Sequence, residues 1–243
     1  MEKYTLITGA SSGIGRQCAI QLSKSCNILL CGRNVNKLDE VRLHCTNPEK
    51  HLILPLELSE VDQISDKLSA FIRNNDVTVD KFLHSAGAIF LCQAKTFDYN
   101  SIKNVFDVNL FSAMEIIKTL LKKNPNQKAL KNIILISALY SKKGVIGNSF
   151  YASSKGALDS YMRSIAKELA PAVKVNSILP GGLRTPMSES SFHDEENIKK
   201  LESEYPLGFG QTEDIANMAE FLFSDKAKWI TGQQISVDGG ASI

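Results

Sequence analysis

Seven short runs of aliphatic and β-branched residues recur along the chain, each separated from the next by a longer segment of helical periodicity. The runs are Thr5–Thr8, Asn27–Cys31, Leu52–Leu56, Lys81–His84, Asn132–Ser137, Val173–Ile178 and Gln234–Val237. They are too short and too uniformly apolar for hairpin strands with one wet face, so they predict parallel strands covered on both sides. Between them, Leu38, Val41 and Cys45 share one helical face, and Ile64, Leu68, Phe71 and Ile72 share another. The stretch Ser101 to Lys123 predicts one long helix that stops near Asn124-Pro125. Alternating β and α units with right-handed crossovers give an α/β fold, a doubly wound sheet of about seven parallel strands with helices on both faces. No repeat, low-complexity tract or linker interrupts the pattern, so residues 1–243 are expected to form one domain. The loosest segment, Met187 to Tyr205, is expected to close over a pocket.

Composition closes off several function classes. The chain has 28 Lys and Arg against 26 Asp and Glu, a net charge of +2 that is too balanced for a nucleic-acid surface. No run approaches the roughly 18 apolar residues of a spanning helix, and Tyr4 to Ile7, directly after the N-terminus, is far too short for a signal segment. The cysteines (Cys18, Cys26, Cys31, Cys45, Cys92) form no CxxC pair, and the histidines (His44, His51, His84, His193) lack ligand spacing. Reduced thiols, a cytoplasmic location, no membrane partner and no metal site are the expectations.

The first strand runs into Thr8-Gly9-Ala10-Ser11-Ser12-Gly13-Ile14-Gly15, and a helical pattern follows. A strand, a glycine turn and a helix start make an anion site, because free backbone N–H groups and the positive helix end face a phosphate that missing side chains let approach. This position, after strand one, is where Rossmann-type sheets bind dinucleotides. The second strand ends in Cys31-Gly32-Arg33-Asn34, with no carboxylate to hold a ribose diol. Arg33 could instead hold a 2′-phosphate, which favours NADP(H) over NAD(H); the alternative is a solvated loop arginine.

Tyr151 and Lys155 stand four apart at the start of a helical pattern, on one face. A phenol with its ordinary pKa of about 10 is a poor base at neutral pH. A neighbouring Lys⁺ and an oxidised nicotinamide would favour phenolate, so Tyr151 could exchange a proton with a carbonyl or alcohol oxygen.

At these residues the chain resembles the short-chain dehydrogenase/reductase family, and the likeness covers essentially its whole length. Thr8–Gly15 looks like the family's cofactor turn, Asp107-Val108-Asn109-Leu110 like its mid-helix asparagine motif, and Tyr151/Lys155 like its catalytic pair. Leu179-Pro180-Gly181-Gly182-Leu183-Arg184-Thr185 resembles the segment that embraces the nicotinamide. Pro206-Leu207-Gly208 with Glu213-Asp214-Ile215-Ala216, and Trp229 to Gly240, are further family landmarks. The resemblance implies that Gly9, Ser11, Ser12, Gly13, Ile14 and Gly15 wrap the phosphates and that Arg33 meets the 2′-phosphate. It places Glu57 and Leu58 near the adenine, and Ser85, Ala86 and Gly87 beside the adenosine ribose. Pro180, Gly181, Leu183 and Thr185 would hold the nicotinamide end. Lys155 would bind the nicotinamide ribose, and Asn109 a water in a proton relay with Lys155. A homotetramer or homodimer is implied as well, with apolar positions such as Phe111, Leu158 and Tyr161 available either for contacts or for the core.

Three positions depart from the family's pattern. Ser85 replaces a structural asparagine, and Glu57 replaces a shorter aspartate. The residue thirteen before Tyr151, where the family places a catalytic serine, is Ala138. Ser137 or Ser141 would have to substitute, and Ser137 would need a bulge or turn to face the right way. The leading expectation is an NADP(H)-dependent oxidoreductase that interconverts a ketone and a secondary alcohol. Its substrate would be a small-molecule or carrier-bound carbonyl, the motif set looking most like 3-oxoacyl-[acyl-carrier-protein] reductases. The alternatives are a sugar or polyol dehydrogenase and a weakly active cofactor-binding subunit. Lys142 and Lys143 either attract an anionic substrate or are solvated surface.

Overall fold

A computed structural model describes residues 1–189 and 202–243. Seven parallel strands, β1 (Glu2–Thr8), β2 (Asn27–Gly32), β3 (Leu52–Pro55), β4 (Val77–His84), β5 (Asn132–Ile136), β6 (Lys174–Pro180) and β7 (Gln234–Val237), form one sheet in the order β3-β2-β1-β4-β5-β6-β7. All seven expected strands are present. Several run longer than their apolar runs, since β1 begins at Glu2 and β4 at Val77, where exposed or polar residues still have a neighbour to pair with.

The reason for the continuous apolar strands lies in the alternation of faces. In β5, Ile133 and Leu135 point into one core, and Ile134 and Ile136 into the other. The first core is closed by α3 (Val61–Asn74), α5 (Ser112–Leu121) and α7 (Ser149–Leu169), and contains Leu68, Ile72, Ile116, Leu120, Leu158 and Met162. The second lies under α1 (Gly13–Leu22), α2 (Val35–His44) and α8 (Thr212–Phe223), with Ala19, Leu22, Leu38, Val41, Ala219 and Leu222. Both faces of a strand therefore meet apolar side chains, and an alternating sequence would bury polar groups without partners.

Local chemistry sets several helix starts. The Asn34 side chain accepts from the Lys37 N–H, and Asp98 accepts from the Ser101 N–H at the start of α4 (Tyr99–Phe106). Gln211 and Asp214 cap α8 reciprocally. The expected single helix from Ser101 to Lys123 is not regular. Between α4 and α5 the residues Asp107–Phe111 form a π-helical turn, and the chain leaves helical geometry at Lys122 before a short turn, α6 (Lys123–Asn126). Leu158 is wholly buried in the core, whereas Phe111 is exposed. Among the described residues no helix is long and apolar enough to cross a membrane.

The strand order reverses direction between β1 and β4. Loops leaving neighbouring strand ends there diverge to opposite faces, which opens a crevice at the carboxyl edge.

Candidate active site

A cleft of about 710 Å³ occupies that crevice. Its floor is the turn between β1 and α1, where Gly9 (φ 65°) and Gly13 (φ 52°) hold left-handed conformations. A Cβ on Gly9 would sit 2.8 Å from the Ala86 backbone, so this glycine lets the β1 and β4 loops touch. Gly15 is behind the cleft wall; a side chain there would collide with the Gly9 carbonyl. Ser12 begins α1 without a side-chain cap, and no acidic residue lies in the first turn. The first N–H groups of α1 are thus left for an anion, which is the donor set a pyrophosphate requires.

Gly9, Ser11, Ser12, Gly13, Ile14, Arg33, Glu57, Leu58, Ser85, Ala86, Gly87, Pro180, Gly181, Leu183 and Thr185 all line the cleft. Arg33 stands at its lip with its side chain 81% exposed and its guanidinium 3.7 Å from Glu57. Burial raises the Glu57 pKa, but hydrogen bonds from the Ser59 N–H and hydroxyl, with Arg33's charge, lower it on balance. The carboxylate is therefore ionised and pairs with the arginine at the cleft's edge. Across the turn, Ser188 Oγ donates to the Leu183 carbonyl at 2.6 Å and accepts from the Thr185 N–H at 3.0 Å. This fixes the β6 loop beside Gly13. Met187, Ser188 and Tyr205 reach the cleft; residues 190–201, the middle of the segment expected to cover it, lie outside the described residues.

Tyr151 and Lys155 project from the first turns of α7. Lys155 is 3% exposed, its Nζ donates to the Ile136 carbonyl at 2.8 Å, and it lies 5.8 Å from the centre of the Tyr151 ring. Burial lowers the Lys155 pKa to about 8, opposed by Asp159. Burial, with the Tyr140 phenol nearby, raises that of Tyr151. In this state Tyr151 is a protonated phenol, suited to donate, and Lys155 holds a cation that a buried site tolerates poorly.

Asn109 is wholly buried and not on the cleft wall. Its Oδ1 accepts from the Ala88 N–H at 2.7 Å, and its Nδ2 donates to the Ala88 carbonyl and to Ser154 Oγ. The π-helical turn rotates this side chain inward, where it clamps the loop after β4 onto α7. The side-chain amide is thus occupied by protein at both ends. Ser154, its partner, lies inside the Tyr-x-x-x-Lys stretch, and no spacing rule distinguishes it there from Ser153.

The serine candidates separate clearly. Ser137 borders the cleft, but its backbone N–H donates to Ile178 and its Oγ faces the Lys155 carbonyl at 3.4 Å. Ser141 Oγ is buried without a partner and off the cleft wall. Ala138 borders the cleft and carries no hydroxyl. Tyr140, Asn148, Tyr205 and Phe209 also line it, and no motif or spacing marked them individually as site residues. The Asn148 side-chain oxygen is buried with no partner. Lys142 and Lys143 do not border the cleft, and Lys143 pairs with Glu204 at 2.7 Å.

His84 ties the two cofactor loops together beneath the site. Its Nδ1 is 2.9 Å from Thr8 Oγ1, which also accepts from the Ala86 N–H. Burial and the charge of Lys155 depress its pKa to about 3. A neutral buried histidine stabilises the fold fully above its unfolded pKa of about 6.5, and the benefit is lost as pH falls toward 3. Between those values the unfolded chain binds the extra proton, so stability rises with pH. From pH 7 to pH 4, urea titrations of the native protein should lose about 3 kcal/mol more than those of His84→Asn. Equal losses in the two proteins would remove His84 as the cause.

Among the described residues no cluster of His, Cys, Asp or Glu could hold a metal ion. Comparison with known proteins agrees with the geometry. A family model described as "Enoyl-(Acyl carrier protein) reductase" matches residues 9–242. The 3-oxoacyl-[acyl-carrier-protein] reductase FabG of Buchnera aphidicola subsp. Baizongia pistaciae is 31% identical, with 98% of this chain and 97% of that protein covered. The L-xylulose reductase of Bos taurus is 27% identical over 98% of this chain and 96% of its own. A solved structure of 4-hydroxyisoleucine dehydrogenase complexed with NADH superposes with a TM-score of 0.89 at 26% identity, covering 99% of this chain and 98% of that one. By its fold and these matches, the chain belongs to the short-chain dehydrogenase/reductase family, oxidoreductases that bind a nicotinamide cofactor and interconvert carbonyl and alcohol groups.

Proposed function

We propose that the whole chain acts as one domain, an NADP(H)-dependent reductase that converts a ketone to a secondary alcohol. The observation that carries this is the meeting of the Tyr151–Lys155 pair with an uncapped glycine turn in one cleft. The bound nicotinamide would supply a hydride. The protein's share is binding, orientation and the proton. Gly9, Ser12 and Ile14, with the open α1 N-terminus, hold the phosphates, and Leu183 and Thr185 hold the nicotinamide end. Tyr151, protonated at neutral pH, gives its proton to the carbonyl oxygen. Lys155 stabilises the phenolate left behind, the cationic form being partly retained at a pKa of about 8.

Arg33 supports NADPH as the preferred reductant, since its exposed guanidinium at the end of β2 matches a 2′-phosphate. The NADH complex of 4-hydroxyisoleucine dehydrogenase means that family membership alone does not choose. Arg33→Ser should raise the NADPH KM about tenfold and leave the NADH KM within about twofold. Steady-state kinetics with both cofactors check this, and an equal change for the two would assign Arg33 to solvent.

For substrate, Ile89, Leu91, Ala138, Met187 and Phe209 give the described cleft wall apolar side chains, beside polar groups from Asn104, Ser137, Asn148 and the phenols. Such a wall suits the acyl part of a 3-oxoacyl thioester better than a polyol, which needs a dense set of hydrogen-bond partners. A small-molecule or carrier-bound carbonyl in the cytoplasm, and a homotetramer or homodimer using exposed Phe111, complete the reading. The test is NADPH oxidation against a 3-oxoacyl thioester, a diketone and several keto sugars. Turnover that is fastest with the thioester supports the proposal. Tight cofactor binding with no turnover on the whole panel would favour a cofactor-binding subunit, the reading that Ala138 keeps open.

A further inference from the structure

A carbonyl oxygen that receives a proton from one phenol gains from a second donor, because negative charge builds on it before the transfer is complete. The family position for that donor is Ala138, which offers a methyl group. Neither neighbouring serine replaces it as placed. Ser137 Oγ turns back to the Lys155 carbonyl, and Ser141 Oγ is off the cleft wall.

Tyr140 is different. Directly after Ala138 the chain tightens into a 3-10 turn, Leu139–Ser141, that packs on α7 and places Tyr140 on the cleft wall with Tyr151 and Asn148. The third phenol on the cleft wall, Tyr205, has its hydroxyl bonded to the backbone of Gly182. It packs over Gly182, where its hydroxyl oxygen lies 3.0 Å from the point a Cβ on that glycine would take.

We propose that the Tyr140 hydroxyl is the second hydrogen-bond donor to the substrate carbonyl oxygen, in place of the absent serine. The inference rests on the reductase reading above and names a catalytic residue for it. Burial and Glu204 raise the Tyr140 pKa against the influence of Lys143, so the hydroxyl keeps its proton through the neutral range. The Tyr140 phenol also lies near enough to Tyr151 to oppose its ionisation. The step balances without a proton from Tyr140. A bound reduced nicotinamide would supply the hydride to the carbonyl carbon, the C=O pair would move to oxygen, and Tyr151 would give that oxygen its proton. Tyr140 shares its hydrogen with the developing oxyanion and retains it.

The experiment compares the native protein with Tyr140→Phe, Ser137→Ala, and Tyr140→Phe combined with Ala138→Ser. Turnover is measured on the best ketone of the panel and NADPH affinity by fluorescence. A sulfoxide isosteric with that ketone, which accepts hydrogen bonds without being reduced, is titrated calorimetrically. Tyr140→Phe should lower kcat by roughly 10²-fold with NADPH affinity unchanged. It should weaken the sulfoxide about tenfold, and adding Ala138→Ser should recover at least a tenth of the native rate. An unchanged kcat in Tyr140→Phe, or a comparable loss in Ser137→Ala with no rescue by Ala138→Ser, overturns the assignment while leaving the reductase standing. Loss of NADPH binding in Tyr140→Phe would give the residue a structural role and overturn it also. No turnover by the native protein would remove the reductase reading itself, and this inference with it.

Discussion

Replacing Tyr151 by phenylalanine is expected to lower kcat for ketone reduction by about 10²–10⁴-fold, the range that general acid catalysis supplies. The change removes one oxygen and leaves the ring, so the surface that Lys155 approaches at 5.8 Å is preserved. NADPH affinity should change little, because the phosphate donors at the start of α1 and the Lys155 contact with the Ile136 carbonyl are untouched. The loss should therefore fall on kcat, and single-turnover kinetics at saturating NADPH would show it in the chemical step. A variant that keeps native kcat would mean that another group delivers the proton, and the role of α7 in the chemistry would have to be abandoned.

Gly9→Ala is expected to have the second large effect, through the backbone. Gly9 has φ 65°, and a Cβ there meets the Ala86 Cα and N at 2.8 Å. Left-handed strain and a clash with main chain together should cost about 3 kcal/mol of stability, since neither backbone can yield as a side-chain tip would. The β4 loop must move away from the turn, taking Ala86 and Gly87 out of the cleft. NADPH affinity should fall by roughly 100-fold or more, as the pyrophosphate loses donors held in register by that contact. Gly144→Ala is the matched control, with nothing within 4 Å of the added methyl. Thermal melts and fluorescence titration would read both effects, and a Gly9→Ala protein that melts and binds like Gly144→Ala would contradict the close-approach argument.

The sequence was most legible where chemistry is local or periodic. Apolar runs flanked by helical patterns marked all seven strands, because a strand covered on both faces cannot alternate polar and apolar residues. The glycine turn, Arg33 and the Tyr151–Lys155 pair were readable because their spacing along one element sets their placement, whatever the rest of the chain does. The cleft gathers them from the ends of β1, β2, β4 and β6 and the start of α7 because a doubly wound sheet brings its carboxyl-edge loops together.

What sequence alone left open depended on side-chain direction across elements distant in the chain. Asp107-Val108-Asn109-Leu110 has helical periodicity, and nothing local announces the π-helical turn that points Asn109 at Ala88 rather than at the cleft. Spacing offered Ser137, one step from the family position, and Ser141, three steps from it. Their different fates follow from the Lys155 carbonyl on α7 and from the tight turn at Leu139–Ser141, both set by packing of α7 on the sheet. Tyr140 and Tyr205 come from segments more than sixty positions apart, and only the tertiary fold places both phenols at one cleft. The sequence by itself determined the sheet, the glycine turn after β1 and the shared helix face of Tyr151 and Lys155, because each is written in residues that are neighbours along the chain. The tertiary structure decided which residues line the cleft with Tyr151 and what Asn109 holds, because contacts depend on the direction of side chains that the chain brings together only on folding.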